Sequence, residues 1–281
     1  MPTIQNLRRE YQKEICEKAI HMKKGNIPSM ADVSSPLSIL LSQKMLTLIG
    51  LPTCPTDIKG QTAGKLFEEA TKSFLEQSFA LLQHLRPGEW RFSVQGNIKD
   101  FVQYQHLAAL NELVQKDRLL RTALGDYVVK PDVVIARMPV SDSTINQQQV
   151  IVEAKQEPHF TPFREANQSP VHPILHASIS CKFTFRSDRS QNARTEGLNL
   201  IRNRKGHTPH IVVVTAEPMP TRLASLALGT GDIDCVYHFA LLELIEAAKN
   251  TKNEAVIESL EIMIAGDRLR DISDLPFDLI T

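Results

Sequence analysis

From Gly64 to Leu85 the apolar residues Leu66, Phe67, Ala70, Phe74, Leu75, Phe79, Leu82 and Leu85 recur at helical spacing. This predicts a helix with one buried face, stopped by the Arg-Pro-Gly turn at 86–88. The chain before it reads as helical too, interrupted by Pro/Ser-containing loops at Ile27 to Pro36 and Leu51 to Gly60. A second helix is predicted over Gln105 to Ala123, ending at Gly125. The period then changes. Tyr127 to Arg137 and Gln149 to Ala154 are β-branched runs separated by a polar loop, and they read as a pair of strands. After a proline-rich connector, His176 to Phe185 reads as a strand, Gln191 to Asn203 as a helix and His210 to Ala216 as a buried strand. Helices around His238 to Asn250 and Glu254 to Ile264 close the chain. The pattern predicts an α/β fold, a central mixed β-sheet flanked by helices, built as one domain over 1–281. Within it the expected parts are a helical region to about 125, a core at about 126–241 and terminal helices from 242.

Composition narrows the classes. With 42% hydrophobic and 23% charged residues the chain has material for a sizeable core and reads as a soluble enzyme. Its 32 basic and 32 acidic residues argue against a generic DNA-coating protein, which would gain from overall positive charge. Any contact with a polyanion should therefore be local. Cys16, Cys54, Cys181 and Cys235 are widely spaced, with no CxxC pair, so neither a zinc site nor a disulfide framework is indicated. The charged, helix-patterned start is no signal peptide, and no apolar run is long enough to span a bilayer. A soluble protein of a reducing cytoplasm, without a membrane partner, is the expectation.

One segment breaks the neutral balance. Between Lys182 and Lys205 stand Lys182, Arg186, Arg189, Arg194, Arg202, Arg204 and Lys205, against only Asp188 and Glu196. That local excess suits nucleic acid. Phosphodiester hydrolysis needs carboxylates to hold a metal and a cation near the attacked phosphate. Asp132, in an apolar strand after Pro131, Lys182, in an alternating strand, and Glu196, fourteen positions later on a helix, supply those types. Each has a plainer reading: a strand-end aspartate paired with Lys130 or Arg137, a lysine on a solvated sheet face, a helical partner for a neighbouring arginine. Glu68, near the buried face of the Gly64 to Leu85 helix, carries little meaning alone.

Arg186-Ser187-Asp188-Arg189 has a sharper logic, because arginine forks onto guanine O6 and N7 while a carboxylate accepts from cytosine N4. Such a group reads GG and the opposing CC. The competing reading makes Asp188 the N-cap of the following helix and leaves the arginines merely exposed. A second catalytic pattern also stands in the chain, since Pro131-Asp132 is followed by Glu153-Ala154-Lys155. This matches the PD…ExK pattern of metal-dependent nucleases, but Lys155 leads into a Pro/His loop rather than toward the basic segment. It ranks second.

HASISCK, RSDR, QNAR, EGLNL and RNRKG, then PHIVVVTAEP, ALGTG and IDCVYHFAL, run almost unbroken from His176 to Leu241, with ISDLP at Ile272 to Pro276 and GQT at Gly60 to Thr62. In these segments the chain resembles the NgoMIV-type family of Type II restriction endonucleases, whose sites share a CCGG core. The resemblance implies a restriction-endonuclease-like PD-(D/E)xK core and magnesium-dependent cutting of double-stranded DNA, with two Mg2+ per active site. It implies Asp132 as the metal-bridging carboxylate, the Cys181 carbonyl as a metal ligand and Lys182 at the scissile phosphate and attacking water. Ser180 then stands where related nucleases carry an acid, Glu196 is that acid relocated to the next helix, and Glu68 is a further active-site carboxylate. Arg186, Asp188 and Arg189 become readers of the CCGG core. Arg222 in the major groove, with Ser34 and Gln61 from the minor groove and Asp32 near them, match positions that read the flanking pair, although the loop around Asp32 departs from the family. The implied site is GCCGGC, cut after the first G to leave 5′ CCGG overhangs, by a homotetramer holding two DNA copies. The pattern Glu153 to Lys155 has no function in the family.

Two other functions compete. A DNA-binding protein without cleavage needs only the reading group, and the full set Asp132, Lys182, Glu196 and Glu68 speaks against it. A repair nuclease of the same fold needs only the catalytic group, and Arg186 to Arg189 speak against that.

Overall fold

The computed structural model describes residues 2–116, 118, 119, 122, 129–185 and 187–281, without the side chains at 109, 115 and 187–190. Helix α1 (Ile4–Lys18) starts on a Thr3 capping box and packs along α3 (Gly60–Leu82). Between them lie a short hairpin, β1 (Met22–Lys23) with β2 (Ile27–Pro28), and α2 (Pro36–Ile49), which Ser35 caps and the left-handed Gly50 ends. The expected Gly64 to Leu85 helix is α3. It starts four residues earlier and stops at Leu82, and its stripe Phe67, Ala70, Phe74, Leu75 and Phe79 is buried.

Among the described residues the sheet has six strands in chain order: β3 (Trp90–Val94), β4 (Val133–Arg137), β5 (Ile174–Lys182), β6 (His210–Thr215), β7 (Cys235–His238) and β8 (Leu269–Asp271). Each neighbouring pair among the first three is antiparallel and the last four run parallel, so the sheet is mixed, as expected. Helices α4 (His106–Lys116), α5 (Asp142–Ile145), α6 (Ser187–Asn203), α7 (Pro220–Ala227), α8 (Leu241–Lys249), α9 (Glu254–Ala265) and α10 (Leu275–Asp278) complete the order. Strand β4 shows why its sequence is continuously apolar. Val133 and Ile135 enter a core shared with α1, α3 and the C-terminal helices, while Val134 and Ala136 enter a second core with Leu175, Leu200 and Ile211.

Three expectations change. Gln149 to Ala154 forms no strand: Val150 and Ile151 are exposed, and Asn146 accepts the Ile151 and Val152 amides in a loop. The partner of β4 is instead β3, whose residues alternate between half-buried and exposed. Asp132 stands just before β4 rather than inside it, at the sheet end where β5 terminates. Strands β7 and β8 lie where no strand was expected, their few residues almost wholly buried at the far side of the sheet. The second helix is described as α4 only to Lys116, and most of 117–128, with the expected strand start at Tyr127, falls outside the described residues. All four cysteines are free thiols. Among the described residues no helix is long and apolar enough to cross a membrane.

Candidate active site

The antiparallel register pairs Val133 with Ile179, which brings Asp132 beside Ser180 at the end of the sheet. Strand alternation does the rest. Ser180 and Lys182 share one face, and the Cys181 side chain is buried on the other, where desolvation raises its thiol pKa and removes it as a nucleophile. Oδ2 of Asp132 accepts the Cys181 amide at 2.8 Å and the Lys182 ammonium at 2.9 Å. The Asp132 carbonyl accepts the Gln95 amide at 2.8 Å, so β3 fixes the aspartate backbone from the other side. Burial alone would lower the Lys182 pKa, yet the charge and hydrogen bond of Asp132 outweigh it, and the net shift is upward. Lys182 is therefore a fixed cation.

Ser180 Oγ lies 3.5 Å from both Asp132 Oδ2 and Glu196 Oε2, between a carboxylate from the sheet and one from helix α6. Two anchors aim that helix. Nη1 of Arg194 donates to both oxygens of Asp232, at 2.9 and 2.7 Å, and its Nη2 donates to the Leu226 carbonyl. Gly197 lies so close to the Asp232 carbonyl that a Cβ there would collide with it. With α6 pressed on this loop, Glu196 faces the Asp132 side. Burial, first, and then the Asp132 charge hold the Glu196 pKa up, against the opposing pull of Lys182. Glu68 is raised by the same two causes in the same order. Helix α3 brings Glu68 in, and Phe67 of that helix packs edge-on against Phe183, 5.7 Å between ring centres.

Glu68, Asp132, Lys182 and Glu196 line one open cleft of about 1150 Å³, together with Gln61 and Asn192. Asp57, Lys23 and Lys59 line the same cleft, and around Asp132 itself burial together with its charge raises both glutamates. The donors are oxygens, with no thiolate or free imidazole, so the site suits a hard cation. Among the described residues no three acids, histidines or cysteines form a closed metal cage. Mg2+ needs none, because it keeps waters and takes one or two carboxylates plus phosphate oxygens.

The remaining expected residues divide. Asp32, Ser34 and Arg222 meet: Asp32 accepts the Ser34 hydroxyl at 2.7 Å and its amide at 3.0 Å, and its other oxygen pairs with Arg222. Those bonds, Ser34 first, lower the Asp32 pKa to about 2. Gln61 stands apart from them, in the first turn of α3 on the cleft. Arg186 and the side chains of Asp188 and Arg189 lie outside the described residues. Helix α6 begins at Ser187, which puts Asp188 inside its first turn instead of at a cap before Gln191. The second pattern does not join the site. Glu153 and Lys155 are exposed in a loop that buried Arg164 organises through the Glu153 and Gln156 carbonyls, and neither lines the cleft.

Sequence reasoning missed His21, which is buried, contacts Asp57 at 2.6 Å and lines the same cleft with Lys23 and Lys59. These residues sit on the hairpin and on the loop before α3, where no periodicity marks them.

The model of the NgoMIV restriction enzyme family matches residues 11–281. The Type II restriction enzyme NgoMIV of Neisseria gonorrhoeae is 42% identical over 285 residues, covering 99% of each chain. A solved structure, the restriction endonuclease PspGI–substrate DNA complex, aligns at 16% identity over 100% of this chain and 92% of that one, with a TM-score of 0.30, too low to carry an argument. With the family matched over nearly the whole length and a full-length relative at this identity, the chain belongs to the NgoMIV family of Type II restriction enzymes, site-specific endonucleases of DNA.

Proposed function

We propose that the cleft between β4, β5, α3 and α6 is where this endonuclease hydrolyses DNA, with Mg2+ as cofactor. The observation that carries the reading is the Lys182 ammonium at 2.9 Å from Asp132, with Glu196 and Glu68 on the same cleft. Asp132, Glu196, Glu68 and the Cys181 carbonyl would hold two Mg2+, which supply charge neutralisation and an acidified water. Lys182 stabilises the charge that builds on the phosphate and orients the attacking oxygen. Ser180, between Asp132 and Glu196, steadies both carboxylates and leaves the second acidic position to the helix.

The cut is directed by the residues that follow Lys182. Arg186, Asp188 and Arg189 read the CCGG core, because arginine–guanine forks and a carboxylate–cytosine contact select GG and the opposing CC. Arg222, with Asp32 and Ser34 and with Gln61 on the cleft, reads the flanking pair, giving GCCGGC cut after the first G. A palindromic site asks for a two-fold pair of subunits, and a homotetramer holding two DNA copies extends that symmetry. The whole chain works as one endonuclease domain of the prokaryotic cytoplasm. Plasmid DNA incubated with the protein and Mg2+ tests this directly. Discrete fragments with 5′ CCGG ends support it, and sequence-independent degradation or intact plasmid contradicts it.

A further inference from the structure

Glu217 follows strand β6 by two residues and is fully buried, although it bears a carboxylate that the chemistry above does not use. Its Oε2 accepts the Phe185 amide at 2.9 Å, and its Oε1 accepts the Met219 amide at 3.1 Å. The carbonyl of the same Phe185 accepts Nη1 of Arg222 at 3.0 Å, and that nitrogen lies 3.7 Å from Glu217 Oε2. Phe185, itself buried, is thus gripped at both backbone groups by one ion pair. It is the residue between the Lys182 segment and Arg186.

We propose that Glu217 is a positioning residue for sequence discrimination, locking the turn that delivers the Arg186 to Arg189 segment and holding Arg222 in register with it. The inference rests on reading these arginines as base contacts. A carboxylate suits this place because it accepts two amide hydrogens at once and attracts a guanidinium. A neutral residue cannot do both. Keeping a carboxylate dehydrated here is costly: burial, first, lifts its pKa to about 7 against the opposing amides and Arg222. Groups held at such a cost concentrate where geometry matters for function.

The neighbours define how it titrates. Arg222 faces it from α7 and Asp32 from the loop after β2, while His238 of β7 packs against it with a pKa that burial lowers to about 4. His238 therefore stays neutral through the range in which Glu217 changes charge. Above neutrality Glu217 is ionised and accepts both amides. Below it, a proton on one oxygen turns an acceptor toward an N–H donor and weakens the pairing with Arg222.

The test is the ratio of single-turnover cleavage rates on the site the wild type itself prefers and on the same DNA with one base pair changed. Effects on the metal or the attacking water enter both rates and cancel. In wild type the ratio should rise as pH goes from about 6 to about 8.5, and in Glu217→Gln it should be flat and about tenfold lower at the upper end, the low end of one base contact. Melting temperature and affinity for random DNA serve as controls on the variant. A Glu217→Gln ratio equal to wild type at every pH overturns the proposal, as does a purely structural outcome in which both rates fall together. Should the variant fail to fold, the wild-type profile still decides, and a ratio independent of pH refutes the role. Wild-type cutting at no defined sequence defeats both this inference and the base-reading assignment beneath it, whereas an unchanged ratio defeats this inference alone.

Discussion

Lys182 places its ammonium 2.9 Å from Oδ2 of Asp132, the oxygen that also accepts the Cys181 amide, so one carboxylate oxygen fixes both the end of β5 and its terminal cation. Removing either partner leaves the fold of the sheet in place but strips the site of its charge pattern. Asp132→Ala and Lys182→Ala should each cut the single-turnover rate by at least about 10²–10³-fold. Affinity for the recognition site should remain, since the base-reading residues lie elsewhere. Calcium should support binding without turnover, because its longer and looser coordination fails to place the water. Cleavage near the wild-type rate in either variant would contradict the assignment.

Arg222 is held by Asp32 and by the Phe185 carbonyl, near Glu217. If it reads the outer base pair, Arg222→Ala should lower discrimination at that pair by about 1–3 kcal/mol while preference for the core persists. Cleavage of CCGG sequences with altered flanks would then become detectable. Unchanged flank preference in a sequencing-based cleavage assay would refute the role.

Gly197 is where helix α6 touches the Asp232 backbone, one residue from Glu196. Gly197→Ala forces the helix away from that carbonyl. The expected cost is about 1–3 kcal/mol of stability, as for other overpacked sites. Cleavage should fall further than stability predicts because Glu196 moves with the helix. A variant with lowered melting temperature and undiminished cleavage would show that the position of Glu196 is not critical.

Arg8 joins α1 to the C-terminal part of the chain through Asp271 at 2.7 and 2.8 Å and Glu243 at 2.9 and 2.6 Å. Burial alone would raise the Asp271 pKa, but the Arg8 bonds outweigh it, and Asp271 and Glu243 both end below the usual carboxylate range. A depressed carboxylate stabilises the fold above its unfolded pKa and loses that contribution as pH falls through the folded value. Arg8→Met should therefore cost about 3–5 kcal/mol near neutrality, the usual penalty for breaking a buried pair. The gap from wild type should narrow below about pH 4, where the carboxylates take up protons. Denaturant unfolding at several pH values checks this, and a gap that widens in acid would reverse the argument.

Much of the site was legible because its chemistry interrupts a pattern. Asp132 and Lys182 are charges at the ends of apolar strands, and both lie where the sheet ends and a cleft can open. Helix α3 was legible because a stripe of buried side chains along 23 helical residues leaves a strong period. The strand at Gln149 to Ala154 was misread because β-branched residues also occur in loops, and here Asn146 and Arg164, on either side of the segment, supply bonds that a sheet partner would have supplied. Strand β3 escaped notice because Trp90 to Val94 mixes arginine and serine with aromatics at the sheet edge. Glu217 stood unmarked after β6, since nothing local reveals that the amide it accepts belongs to Phe185, thirty-two residues away.

The most direct measurement compares the two patterns that share Asp132. Single-turnover cleavage should be nearly intact in Lys155→Ala and Glu153→Gln, whose residues are exposed in the Arg164-organised loop. It should be abolished or crippled in Lys182→Ala and Glu196→Gln, whose residues face Asp132 and Ser180. The opposite ranking of these four variants would overturn the active site described here while leaving the restriction-enzyme family membership standing.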